Sequence, residues 1–475
     1  MRAFWVLAFM AAMAAVLAAK HAPRTPGEVV AFAVEIAPHI ADTLPGRAVT
    51  LADAVTPQET EYVVTLAGDT GLNGSYQLVY ASFGTKKGEQ LKWPDATQDI
   101  AREMSGDVNF ANLETVVTDR NDIKPDLKLF AFRTHPDGVR HLVESGLDLF
   151  STANNHTMDF GVEGARETLK HLAELGVPHA GLGANRAAAR APRLVALKDR
   201  TLALGAVGII GNAYSPPREG EKRPGQLAYA DMDEALAELA AAKADLRVLS
   251  VHYGQELEVN TSEPDRSRLT QALAKGADLV VGHHHHVVNG IEIVDGKPVF
   301  FGLGNFVHWG MQDMSRFDVC RDYGLMVRVH YAAASGERLS LRAIEAVPLT
   351  NMHRAARRLT GEDAMAKIHV LNHLARQFEG RGAHFKAEVD GTGLYCAPGM
   401  ETREGKLADR CRAAKLDPPS AELAAKIRGA CSRRIIRVVE NEDGLVPEFA
   451  PAAFDENAPT DEDFFPGVGL PPARR

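Results

Sequence analysis

Short apolar, β-branched runs recur along this chain, and each stops abruptly at polar residues. They read "YVVTLAGD", "DVNFANLE", "LDLFSTANNH", "RVLSVHYG", "DLVVGHHHH" and "KPVFFGLGN", beginning at Tyr62 and ending at Asn305. Between several of them lie amphipathic stretches such as "GVEGARETLKHLAELG" and "DEALAELAAAKA", with apolar residues at helical spacing. Strands alternating with helices predict an α/β fold. In every run the polar cluster falls at the carboxyl end of the strand, the edge on which α/β proteins build their sites.

The pattern changes near residue 351, where stretches such as "GEDAMAKIHVLNHLARQFEG" predict a helical extension over 351–450. Residues 451–475 form an acidic, Pro-rich tail that has little to bury and is expected to be disordered. At the other end, Arg2 precedes an uncharged run from Ala3 to Ala19. That run predicts export, with residues 1–19 either a cleaved signal or an uncleaved membrane anchor. Residues 20–60, rich in Ala, Pro and Thr, read as a linker, which leaves 61–350 as the main domain. Cys320, Cys396, Cys411 and Cys431 are an even set in an exported chain and predict at least one disulfide in the C-terminal part. A net charge of −9 argues against nucleic acid as a partner and leaves small molecules, metals and polymers.

Candidate chemistry centres on His283–His286, four consecutive histidines at a strand end. If the chain stays extended, side chains alternate, so His284 and His286 share one side and His283 and His285 the other. A His-x-His pair offers two imidazoles to one metal centre; a solvated turn is the plainer alternative. Other strand ends add Asp69, Glu114, Asn155, His156, Asp159 and His252, with Glu256 close by. Singly, each could cap a turn or fill a core. Together they are the acid, amide and imidazole set that two divalent cations about 3.5–4 Å apart require to activate a water.

The ordered series "GD", "NLE", "FRTHP", "ANNHTMDFG", "HYGQE", "GADLVVGHHHHV" and "LGNF" resembles the CapA-type capsule synthesis proteins, named for poly-γ-glutamate biosynthesis and related to calcineurin-like metallophosphoesterases. The resemblance spans about residues 62–310 in full order. It implies a β-sandwich of mixed sheets flanked by helices and a site holding two transition-metal ions, manganese, iron or zinc. By the same resemblance Asp69, Glu114, Asn155, His252, His284 and His286 are metal ligands, Glu114 in the bridging position. His156 stands near the leaving group, and Asp159 orients it. A one-residue slip would instead give His283 and His285. Arg133 is either a clamp for phosphate or carboxylate or part of a surface ion pair. Asn305 recurs in the family pattern as a turn-shaping residue.

Two departures stand out. Gly71 occupies the place where related phosphoesterases carry a histidine, and Ser75 a place where many relatives carry an arginine. The resemblance implies an exported, metal-dependent protein acting on an anionic small molecule or polymer alongside the capsule synthesis machinery. A non-catalytic export or anchoring component, and a periplasmic phosphoesterase unrelated to capsule, are the alternatives.

Overall fold

A computed structural model describes residues 59–73, 91–125, 130–209, 214–441 and 444–450. The expected leader or anchor, nearly all of the linker, Ser75 and the acidic tail lie outside the described residues. Among those described, no helix is long and apolar enough to cross a membrane.

Two mixed sheets form the body. In the larger, the strand Thr60–Gly71 lies between Gly324–Ala333 and Val108–Leu113, and Leu149–Ser151 and His179–Ala180 follow outward. This half is parallel, whereas Gly324–Ala333 runs antiparallel to Ser340–Thr350. In the smaller sheet Arg200–Gly208, Leu246–His252, Leu279–His283 and Lys297–Phe300 are parallel neighbours, with an antiparallel strand at each edge. Strands buried on both faces need unbroken apolar runs, and "LVVGH" is buried at every position.

The sheets pack face to face. Leu202, Leu204 and Val281 of the smaller share one core with Leu66, Val108 and Phe110 of the larger. Alternate residues of the smaller sheet, Ala203, Leu249 and Val280 among them, point the other way, onto Leu236 and Leu239 of helix Met232–Ala241 and Leu269 and Leu273 of helix Glu263–Ala274. The α/β fold expected from the strand and helix pattern, and the sandwich of mixed sheets flanked by helices that the resemblance implies, are therefore the architecture observed.

The expected C-terminal helix is Gly361–Ala375, followed by Lys406–Ala413 and Ala421–Cys431. The extension is not helical throughout, however. Its strands Lys386–Ala387 and Gly393–Cys396 continue the larger sheet beyond Ser340–Thr350, pairing an edge that would otherwise expose backbone donors and acceptors. Two disulfides, Cys320–Cys431 and Cys396–Cys411, secure it, in keeping with the bridge expected there. Arg321, next to Cys320 and fully buried, donates to the carbonyls of Ala430 and Arg433 on one side and of Leu257 on the other. The extension is thereby tied to the loop that follows the His252 strand.

Candidate metal centre

Register brings the strand ends to one place. Asp69 pairs with Asn112 on one side and Asn305 on the other, while His252 pairs with His283 in the second sheet. The Asn305 strand can reach Asp69 because Gly68 has no side chain: a Cβ there would lie 1.9 Å from the Gly304 carbonyl oxygen. The Asp69 N–H donates to that same oxygen at 3.0 Å.

Glu114 is the hub. It follows the strand Val108–Leu113 directly and is fully buried. Its Oε1 lies 3.3 Å from His252 Nε2 and 3.9 Å from His156 Nε2. Its Oε2 lies 3.3 Å from His308 Nε2 and 3.9 Å from His286 Nδ1. The two oxygens thus face two different groups of imidazoles. Neither oxygen has a donor in hydrogen-bond alignment. Burial pushes the Glu114 carboxyl up, but His286 and His252 outweigh it and hold the group well below the usual range, so it is ionised.

Asp69 accepts from Asn112 Nδ2 at 2.8 Å and from the backbone N–H of His284 at 3.1 Å. Its other neighbours are His283 Nδ1 at 3.2 Å and His286 Nδ1 at 3.5 Å. Burial and Glu114 raise its pKa, and the imidazoles, His283 foremost, bring it below the usual value. Asn155 places Oδ1 2.8 Å from His252 Nε2. The adjacent Asn154 serves the fold instead, donating to the Leu113 carbonyl and accepting from the His156 N–H.

The four histidines do not continue the strand. It ends at His283, and His284 and His286 adopt left-handed φ of 93° and 57°. Alternation therefore fails as the reason for pairing them, and all four are buried, which rules out a solvated turn. His284, His286 and Glu114 nevertheless converge, with one ligand atom of each within 4.8 Å of the others. Burial, then the charges of His252 and His286, keep His284 neutral and able to donate a lone pair. His285 packs edge-on to Tyr253, 4.9 Å between ring centroids, and burial lowers its pKa to about 4. Non-glycine residues in left-handed conformations cost about 1–3 kcal/mol each and gather at functional sites. Here the turned backbone aims the His284 N–H at Asp69.

His156 places Nδ1 2.6 Å from Asp159 Oδ2, which also accepts from the Phe132 N–H. Its ring stacks on Phe132 at 4.0 Å. Arg133 takes another direction. It neighbours Thr134, whose hydroxyl donates to Asn73 at the cluster. Successive strand residues face opposite ways, and the Arg133 guanidinium accordingly donates to the Arg120 carbonyl and lies over the Phe160 ring. Asn305 does more than shape a turn, since its Oδ1 lies 2.9 Å from His286 Nδ1. His308, Asn112 and Asn73 also lie at the cluster, outside the set expected from the sequence. His308 carried the same signal as the others, a polar residue ending an apolar run.

Buried carboxylate oxygens with no aligned donor face imidazole nitrogens, and His284 Nδ1 and His308 Nε2 also lack partners. Polar atoms so placed call for an occupant, and this mixture of oxygen and nitrogen suits a divalent transition metal.

The molecule is thus a mixed α/β sandwich with a carboxylate–imidazole–amide cluster at the carboxyl ends of its strands. Residues 63–309, just over half of the chain, match the model of the bacterial capsule synthesis protein PGA_cap, and the chain belongs to that family. Among its relatives is the "Probable polyglutamine synthesis accessory protein" of Mycobacterium tuberculosis, 30% identical over 230 residues, covering 46% of this chain and 60% of that one. The "PGA biosynthesis protein CapA" of Bacillus subtilis is 31% identical over 200 residues, covering 41% and 52%. The matched stretch spans less than two thirds of either relative. A solved NAD nucleotidase of Haemophilus influenzae aligns over 64% of this chain and 61% of its own, with TM-score 0.33 and 12% identity.

Proposed function

We propose that this chain is an exported component of poly-γ-glutamate capsule biosynthesis whose centre holds two divalent transition-metal ions and acts on an anionic substrate. The substrate class is a phosphoester or the glutamate polymer itself. The observation that carries the reading is Glu114, a buried carboxylate whose two oxygens each face separate imidazoles and have no donor in hydrogen-bond alignment. Glu114 would bridge; Asp69 and His286 would serve one ion, and Asn155, His252 and His284 the other. Bound there, the ions would polarise the substrate and lower the pKa of a water. His156, oriented by Asp159, would give a proton to the departing group. Family membership supports the capsule role, and the two disulfides support export, since such bonds persist in oxidising compartments.

The test is elemental mass spectrometry on the full chain purified without tag or chelator, followed by assays on chromogenic phosphoesters and γ-glutamyl oligomers. Two metal equivalents are expected, with turnover that disappears on chelation and returns with the metal. No metal, even after it is supplied, sinks the reading; metal without turnover on either substrate class leaves a polymer-gripping component instead.

Within the histidine run, His284→Ala and His286→Ala are expected to lose more metal than His283→Ala and His285→Ala. His284 and His286 meet Glu114, whereas His285 packs on Tyr253. Equal losses at all four positions, with folding intact by circular dichroism, would defeat that assignment.

A further inference from the structure

The glycine at position 71 leaves one side of the centre short of an imidazole relative to the phosphoesterase pattern. We propose that His308 supplies it from the neighbouring strand, completing a ligand group with Asp69, Glu114 and His286. The inference rests on the two-metal reading above and adds a ligand to it.

Three observations carry it. The first is register. Strand Asn305–His308 runs parallel to Thr60–Gly71, and His308 is the partner of Gly71 itself. An imidazole therefore arrives beside the position that lacks one. A Cβ at Gly71 would lie 2.8 Å from the Asn73 amide nitrogen, so a side chain there would displace the Asn73 side chain.

The second is the direction of the ring. His308 is fully buried, and its Nε2 has one near neighbour of interest, Glu114 Oε2 at 3.3 Å, with no hydrogen-bond partner of its own. Phe132 and His286 meet the ring edge-on, at 5.2 and 5.8 Å between centroids, and fix its plane.

The third is the support behind it. The Asn73 amide lies 3.4 Å from His308 Nδ1, and Thr134 Oγ1 lies 3.2 Å from the other end of that amide. Amide oxygen and nitrogen are assigned from their surroundings. As placed, Asn73 Nδ2 faces Nδ1 and Oδ1 accepts from the Thr134 hydroxyl; with the amide turned over, Oδ1 would accept from Nδ1–H and Nδ2 would donate to that hydroxyl. That leaves the Nε2 lone pair facing Glu114, the arrangement by which an outer hydrogen bond fixes the tautomer of a ligating histidine.

Chelator-stripped full chain titrated with Mn²⁺ in a calorimeter decides the matter. Wild type is expected to bind two ions. His308→Phe, which keeps the ring volume without nitrogen, is expected to keep one ion at wild-type affinity and to bind the other at least ~100-fold more weakly. Asn73→Ala should weaken that same ion by ~10-fold or more, as loss of an orienting partner does. If His308→Phe binds both ions as wild type does, the assignment to His308 falls while the two-metal reading stands. A wild-type chain that takes up no Mn²⁺ removes both. Should His308→Phe fail to fold, Asn73→Ala decides alone, and unchanged affinity in it overturns the proposal.

Discussion

Glu114→Gln is expected to empty the centre, taking bound metal from the two ions proposed per chain to less than one. Glutamine keeps the volume of the side chain and removes the charge, so packing is not the variable. What changes is the one group that faces both halves of the cluster: Oε1 looks toward His252 and His156, and Oε2 toward His308 and His286. Removing one partner of a buried charge interaction typically costs about 3–5 kcal/mol, which is about 10²–10⁴ in a binding constant. Because the carboxylate is shared, both ions should weaken together. Asn155→Ala, on the Oε1 side through its contact with His252, should weaken only one. Elemental analysis and Mn²⁺ titration of the two variants separate these outcomes. Two ions at wild-type affinity in Glu114→Gln would sink the bridging role.

Much of this centre was legible in the sequence because its logic is local. Each apolar run that ends in a polar residue is a strand that delivers that residue to the carboxyl edge, and parallel packing gathers such edges together. Asp69, Glu114, Asn155 and His252 need nothing more to meet. What escaped were features set by distant partners. The left-handed turns at His284 and His286 are unfavourable for non-glycine residues, and alternation along a strand was the natural expectation. They are held by Asp69, which accepts the His284 N–H, and by Asn305, which meets the His286 ring, neither of them near in sequence. His308 ends an apolar run as the others do, but its place beside Gly71 is a matter of register between strands far apart in the sequence. The short strand "GLYC" at Gly393–Cys396 shows no clear period and joins the sheet through an edge that only the folded domain provides. Arg133, a candidate anion clamp by the resemblance, donates to the Arg120 carbonyl and lies over the Phe160 ring.

The sharpest division of labour within the site lies between the residues that would hold metal and His156. His156→Ala is expected to leave both ions bound and to lower kcat by ~10²–10⁴-fold, the range for losing a positioned general acid. The geometry separates it from the ligand group. Its Nδ1 is engaged by Asp159 at 2.6 Å, its face is covered by Phe132, and its Nε2 stands 3.9 Å from Glu114 Oε1, farther than His252 Nε2 at 3.3 Å. Asp159 is fixed in turn by the Phe132 N–H, so the imidazole is held at one edge and across one face. On the proposed reading, such a ring would give a proton to whatever leaves the centre. A leaving group that departs readily as an anion needs that proton little, whereas an alkoxide needs it greatly. The loss in His156→Ala should therefore be large for an alkyl phosphoester and small for a 4-nitrophenyl ester. Asp159→Asn should show the same pattern more weakly, because it disturbs orientation and not the donor itself. Equal losses on both esters, or the disappearance of an ion along with turnover, would make His156 a ligand and end its assignment as the acid.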